Sequence, residues 1–86
     1  MIVVNFKSYA SDSGTEAEAL LKAMESHGDG PATFVAVASA FDLAVRAQQA
    51  TGVEVWSQHL DPVGLGGFTG WLEPQTAMQR GASGSI

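Results

Sequence analysis

The chain has 86 residues, 45% hydrophobic and 15% charged, with ten glycines, three prolines and no cysteine. This fits one globular domain at most and excludes a collagen-like or disordered chain, a disulfide scaffold and a zinc-thiolate site. Four Lys plus Arg against nine Asp plus Glu leave a formal charge of -5, the wrong sign for gripping a phosphate backbone, so nucleic acid is not an expected partner.

Ile2 to Phe6 is a near-continuous apolar run rich in β-branched side chains. It is too short for a helix and reads as a strand buried on both faces, hence as part of a parallel sheet. It has neither the length nor the basic flank of a signal peptide or membrane span, and the expected location is the cytoplasm. From Ser13 the period changes: Ser13 and Glu16 have capping-box spacing, and Ala17, Leu20, Leu21 and Met24 recur at helical intervals. This helix is expected to stop near His27, with Gly28 as its left-handed end and Asp29-Gly30-Pro31 as a turn.

A second strand is predicted over Thr33 to Ala38, followed by a second helix from Ala40 to Ala50 with Phe41, Ala44, Val45 and Ala47 inward. Ser39 and Asp42 repeat the capping-box spacing, and Gly52 closes the unit. A third strand follows at Val53 to Ser57, then a glycine-rich loop from His59 to Trp71, a short helix from Pro74 to Arg80 ended by Gly81, and the opening of a fourth strand at Ala82 to Ile86. Strands alternating with helices are the signature of α/β structure built from right-handed βαβ units.

The informative polar residues stand at the carboxyl ends of these strands: Asn5 and Lys7, then Ser39, then Gln58 and His59. That edge is where parallel α/β proteins bind ligands. The strand period of two puts Asn5 and Lys7 on one side, where an amide and a cation can converge on an anionic ligand. The same pair also fits a snorkelling lysine beside an asparagine that bonds a turn.

At these residues the chain resembles the triosephosphate isomerase family, especially its shorter archaeal form. The matching stretches are V-N-F-K-S-Y at Val4 to Tyr9, S-Q-H-L-D-P-V at Ser57 to Val63, G-G-F-T-G at Gly66 to Gly70 and G-A-S-G-S-I at Gly81 to Ile86. One departure is Ala38-Ser39-Ala40, which lacks the proline usual in the family at that turn.

The resemblance implies the N-terminal part of a (β/α)8 barrel, about three βα units plus the start of a fourth strand, with residues 1-86 forming one domain incomplete at its C-terminus. It implies a parent enzyme of glycolysis and gluconeogenesis that interconverts dihydroxyacetone phosphate and glyceraldehyde 3-phosphate through an enediolate, with no metal or organic cofactor. Lys7 matches the family's active-site lysine, and Asn5 matches an asparagine that helps bind substrate. His59, Gly66, Gly67, Phe68, Thr69 and Gly70 fall in the stretch resembling the family's projecting third loop, which enters a neighbouring subunit. The parent is then a homodimer or homotetramer. The family's electrophilic histidine and its glutamate base follow later motifs and have no counterpart in residues 1-86, so this segment alone is expected to be inactive.

The remaining residues have structural readings. Met24 and Met78 are expected in the core, Trp56 in packing, Trp71 beside the loop, and Asp12, Asp29 and Asp61 in turns. His27 suits a helix C-terminus when protonated. No His, Asp or Glu spacing matches a metal site, and G-L-G-G lacks the pattern of a phosphate cradle. The competing reading is a free-standing small α/β module that binds an anion or self-assembles to cover its open sheet.

Overall fold

The computed structural model describes residues 1–10, 13–27, 30 and 32–86. The expected helix stop at Gly28 and the turn residues Asp12, Asp29 and Pro31 lie outside them. Three strands, β1 (Ile2–Asn5), β2 (Phe34–Ala38) and β3 (Glu54–Ser57), alternate with the helices α1 (Gly14–Glu25), α2 (Leu43–Gln49) and α3 (Pro74–Gln79). The strands form one sheet in the order β1-β2-β3, and both pairings are parallel.

After α3 the chain returns to β3. Ser83 N–H donates to the Val55 carbonyl at 3.0 Å, Ser57 N–H to the Gly84 carbonyl at 2.9 Å, and Ser57 pairs with Ser85 in a parallel bridge. This is the predicted start of a fourth strand on the free side of β3.

The helices cover one face of the sheet. Phe6, Ala36 and Val53 pack against Ala17, Leu21 and Met24 of α1, while Ala38 and Val55 pack against Leu43 of α2, Ala77 of α3 and Ala82. Small residues on β2 let two helices approach the centre of the sheet closely. By alternation Val35 and Val37 occupy the opposite face, and both are fully buried. On that face Trp56 lies against Gly84, where an added Cβ would stand 2.6 Å from the indole ring.

β1 is not buried on both faces as expected. Ile2 and Val3 remain 45% and 43% exposed, because β1 is the edge strand; Val4 and, just past the strand, Phe6 pack against the α1 cluster.

Two capping predictions also change. Ser13 has the extended backbone of an N-cap, yet its hydroxyl donates to the Tyr9 carbonyl at 3.2 Å instead of capping α1. The Gly14 N–H finds Asp42 Oδ2 at 3.1 Å. Asp42, expected to pair with Ser39 at the start of α2, thus serves the start of α1, a bond between segments 28 residues apart.

The inner face of α2 is likewise rotated from the expected one. Phe41 sits in the turn before the helix, 97% exposed, and Val45 is also exposed, whereas Leu43 and Arg46 are buried. The helix starts at Leu43, so its inward stripe runs through residues 43, 46, 47 and 50. Arg46 is buried with its Nη1 donating to Gln49 Oε1 at 2.6 Å, while its Nε is buried without a partner.

α3 opens on a cap that the sequence reading passed over. Glu73 accepts from the N–H groups of Gln75 and Thr76 and from the Thr76 hydroxyl, at 2.6, 2.8 and 2.8 Å, just before Pro74. Burial acts to raise the pKa of this carboxyl, but the bonds from Thr76 and Gln75 together hold it below its ordinary value. Met78, expected in the core, is 68% exposed: Ala77 is the buried residue of α3, and the next position points about 100° away.

Candidate functional site

The register aligns Asn5 with Val37 and Val37 with Trp56, so one row of side chains crosses the face away from the helices near the carboxyl ends of the strands. The ladder continues one residue further. Phe6 N–H donates to the Val37 carbonyl at 3.0 Å, and Gln58 N–H to the Ala38 carbonyl at 3.1 Å. Asn5, Ser39 and Gln58 therefore stand at the same edge, where the sequence places them, and the register puts them on the same side of the sheet.

Lys7 reaches that edge by a different route from the one expected. β1 ends at Asn5, and Lys7 has φ 56°, the sole non-glycine with positive φ among the described residues. The strand period therefore does not aim it; a left-handed turn does. Such a conformation in a lysine costs on the order of 1–3 kcal/mol and persists only where neighbours enforce it. Two side chains do so here. Asn5 Oδ1 accepts the Lys7 N–H at 2.9 Å, and Gln58 Nε2 donates to the Lys7 carbonyl at 2.8 Å.

The result is an open hollow of about 400 Å³ lined by Lys7, the hydroxyl residues Ser8, Ser13 and Ser39, and Gln58, with Phe41 at its wall. Lys7 is the only charged residue in this lining, and among the described residues it makes no ion pair; the two pairs present are Lys22 with Glu18 and His59 with Asp61. In a chain of net charge -5, an unpaired ammonium among hydroxyls and an amide is suited to an anion with oxygen acceptors.

A smaller, more apolar cavity of about 200 Å³ lies between α2, α3 and the glycine-rich loop. Its polar lining is Arg80 with Ser57, Glu73 and Thr76; the Ser57 hydroxyl is bonded to the His59 carbonyl, and Glu73 and Thr76 are bonded to each other in the α3 cap. The residues that combine a cation with available hydroxyls converge in the Lys7 hollow instead.

His59 stands at the root of the glycine-rich loop. Its Nε2 is 2.9 Å from Asp61 Oδ1, and its carbonyl accepts the Ser57 hydroxyl at 2.7 Å. Asp61 closes the loop neck: its N–H donates to the Leu72 carbonyl at 2.8 Å, and its Oδ2 accepts the Leu72 N–H at 2.7 Å. Beyond the neck, Gly66, Gly67, Phe68, Thr69 and Gly70 are exposed, and the Phe68 and Trp71 rings pair at 5.9 Å between centroids.

The Leu72 N–H, and then the His59 ring, hold the Asp61 carboxyl below its ordinary pKa. A depressed carboxyl stabilises the fold above its unfolded pKa, about 3.9, and that contribution is lost as pH falls through the lower folded value. The expected result is that Asp61→Asn melts below the parent at neutral pH and that the gap closes in acid, below pH about 4. A pH-independent gap between the two melting curves contradicts this account.

Among the described residues no three His, Asp or Glu side chains gather as a metal would require, and no helix is long and apolar enough to cross a membrane. Gln58 and Asp42 are the tethering residues whose partners the sequence reading did not identify. Gln58 was visible as a polar residue at a strand end, but its partner is a backbone carbonyl 51 residues away, which only the folded register reveals.

Parallel βα units with a cationic hollow outside the strands' carboxyl ends define the class: α/β proteins, whose ligand sites as a class lie at that edge. Within it the sequence is specific. The sequence model of triosephosphate isomerase matches residues 1–86, and the chain belongs to the triosephosphate isomerase family. Its three units are the N-terminal βα units of that family's barrel fold.

Relatives bearing the name triosephosphate isomerase include those of three archaea. The protein of Methanococcoides burtonii is 34% identical over 86 residues, covering 100% of this chain and 39% of that protein. That of Methanobrevibacter smithii is 33% identical over 87 aligned positions, covering 100% and 39%. That of Saccharolobus solfataricus is 29% identical over 86, covering 100% and 38%. The chain thus spans about two fifths of the length of these curated relatives.

Proposed function

We propose that residues 1–86 are the N-terminal part of a triosephosphate isomerase, a barrel domain that further βα units complete. The proposed reaction interconverts dihydroxyacetone phosphate and glyceraldehyde 3-phosphate by moving a proton through an enediolate. The observation that carries the proposal is Lys7: an exposed, unpaired ammonium in a strained turn, held from two strand ends, in a hollow whose lining has no other charge.

In this reading Lys7 is the catalytic residue of the segment. Its ammonium meets the substrate phosphate and the negative charge that grows on oxygen as the enediolate forms, an interaction that strengthens toward the transition state. Asn5 binds substrate beside it. The Asn5 Oδ1 is occupied by the Lys7 N–H, which leaves the amide NH2 as the donor toward ligand oxygen. His59 is paired with Asp61 at the loop root, and neither histidine nor glutamate lines the Lys7 hollow. The groups that move the proton therefore belong to later units of the barrel.

The loop residues Gly66, Gly67, Phe68, Thr69 and Gly70 contact a neighbouring subunit in this proposal, with His59 bracing the root, and the enzyme is a homodimer or homotetramer of the cytoplasm. Exposed Leu65, Phe68 and Trp71 on one loop support an interface, since aromatic side chains are enriched there. A coupled isomerase assay tests the division of labour. The full-length enzyme turns over both trioses, and the 86-residue segment alone shows none above background. Turnover by the isolated segment would place the whole machinery within it and overturn the proposal.

A further inference from the structure

We infer that Asp42 is a positioning residue for substrate binding: its carboxylate ties the start of α1 to the turn before α2 and so fixes the gap between the two segments that line the Lys7 hollow. This rests on the isomerase reading of Lys7 and adds to it the group that sets how closely the hollow fits a phosphorylated triose.

The hollow takes its lining mainly from two connections. Lys7, Ser8 and Ser13 come from the one after β1, and Ser39, Ala40 and Phe41 from the one after β2. Asp42 is not in that lining. The strands hold the two connections together only as far as their own ladder runs, and its last bond is Phe6 N–H to the Val37 carbonyl at 3.0 Å. Beyond it, the hydrogen bond that joins the two segments among the described residues is Gly14 N–H to Asp42 Oδ2, at 3.1 Å and 28 positions apart.

The two ends of this bond differ in stiffness. Asp42 is fixed: its N–H donates to the Ser39 carbonyl at 3.1 Å, and its carbonyl accepts the Arg46 N–H at 2.9 Å at the start of α2. Gly14 is not. It opens α1 with φ +60°, a region glycine enters as readily as negative φ, and a Cβ there would meet nothing within 4 Å, so neither sterics nor packing hold the joint. The neighbouring side chain does not hold it either, because the Ser13 hydroxyl is turned to the Tyr9 carbonyl at 3.2 Å.

A helix leaves its first N–H groups unpaired and its start electropositive, which makes a carboxylate the most strongly attracted partner. Asp42 supplies that partner from the neighbouring βα unit. Removing it frees the Gly14 joint and with it Ser13, which lines the hollow. Lys7, by contrast, keeps its own bonds to Asn5 and Gln58. The consequence is weaker binding with the chemistry intact.

In the full-length enzyme, Asp42→Ala is expected to raise KM about five- to tenfold, the effect of one hydrogen bond to a charged acceptor, while kcat stays within about twofold. Competitive inhibition by inorganic phosphate weakens by the same factor. Asp42→Asn keeps an acceptor oxygen at the same place, so its KM stays within about twofold of the parent. Asp42→Ser, polar but one atom too short to reach Gly14, repeats the rise in KM should the alanine variant not fold.

An unchanged KM with only a lower melting temperature would leave Asp42 a helix cap and overturn the inference. So would a KM that shifts alike in Asp42→Asn and Asp42→Ala, which is an effect of charge and not of the bond. A loss that vanishes as enzyme concentration is raised is an effect of assembly and overturns it as well. Lys7→Ala keeps the two readings apart: normal turnover of that variant sinks the isomerase role of Lys7, whatever Asp42→Ala does.

Discussion

Replacing Lys7 by alanine in the full-length enzyme lowers kcat/KM by a factor of about 100 to 1,000, the range seen when one preorganised group facing developing negative charge is removed. The loss belongs to chemistry and binding and not to folding. Lys7 is exposed, forms no ion pair among the described residues, and contributes nothing to either apolar cluster. Lys7→Gly makes the separation sharper. Glycine adopts φ 56° without strain, so this variant is expected to melt at or above the parent temperature while losing as much activity as Lys7→Ala. Lys7→Arg keeps the charge but replaces a compact ammonium by a planar fork, and it recovers only part of the rate. Near-normal steady-state turnover of Lys7→Ala would remove the catalytic assignment altogether.

The parts of this fold that depend on short-range pattern were legible in the sequence. Apolar β-branched runs at Val3, Val35 and Val55 specify three strands, and the helical spacing of Ala17, Leu21 and Met24 gives α1 its inner stripe. Pro74 and Gly81 bracket α3 for the same reason: both act through their own φ, which needs no partner.

What stayed hidden depends on partners far along the chain. Asp42 has the spacing to cap its own helix and instead caps α1, because the folded βα loops bring the Gly14 N–H within reach. Phe41 looked like an inner residue of α2 by hydrophobicity, but a start at Leu43 leaves it outside the helix and exposed. The site divides in the same way. Strand ends located Asn5, Lys7, Ser39 and Gln58 at one edge. Nothing local shows that Lys7 takes positive φ, or that Gln58 bonds its carbonyl across β2, because these follow from the register of three strands together. That register also brings Lys7, Ser39 and Gln58 into the lining of a single hollow.

Gly81→Ala is the substitution expected to cost most stability among the glycines. Gly81 is where α3 ends and the chain turns back to pair with β3: its N–H donates to the Met78 carbonyl at 3.0 Å, and two residues later Ser83 donates to Val55. Its φ is +106°, well outside the range that side-chain-bearing residues enter easily, and a Cβ there would overlap the Cβ of Ala47 on α2. Backbone strain of about 1–2 kcal/mol and overpacking of about 1–3 kcal/mol then act together, so denaturant unfolding of the full-length protein should show a loss of about 2–5 kcal/mol. Gly67→Ala is the control, since an added Cβ meets nothing within 4 Å and the backbone needs no positive φ; its change should stay within about 0.5 kcal/mol. Gly52→Ala separates the two causes: φ is +72° but the space around it is open, so it should lose the strain share alone, about 1 kcal/mol. Adding Ala47→Gly to Gly81→Ala removes the overlap and returns part of the loss, leaving the strain. If Gly81→Ala is no worse than Gly67→Ala, then α3 does not pack against α2 through this turn, and the fourth strand is not guided onto β3 as described.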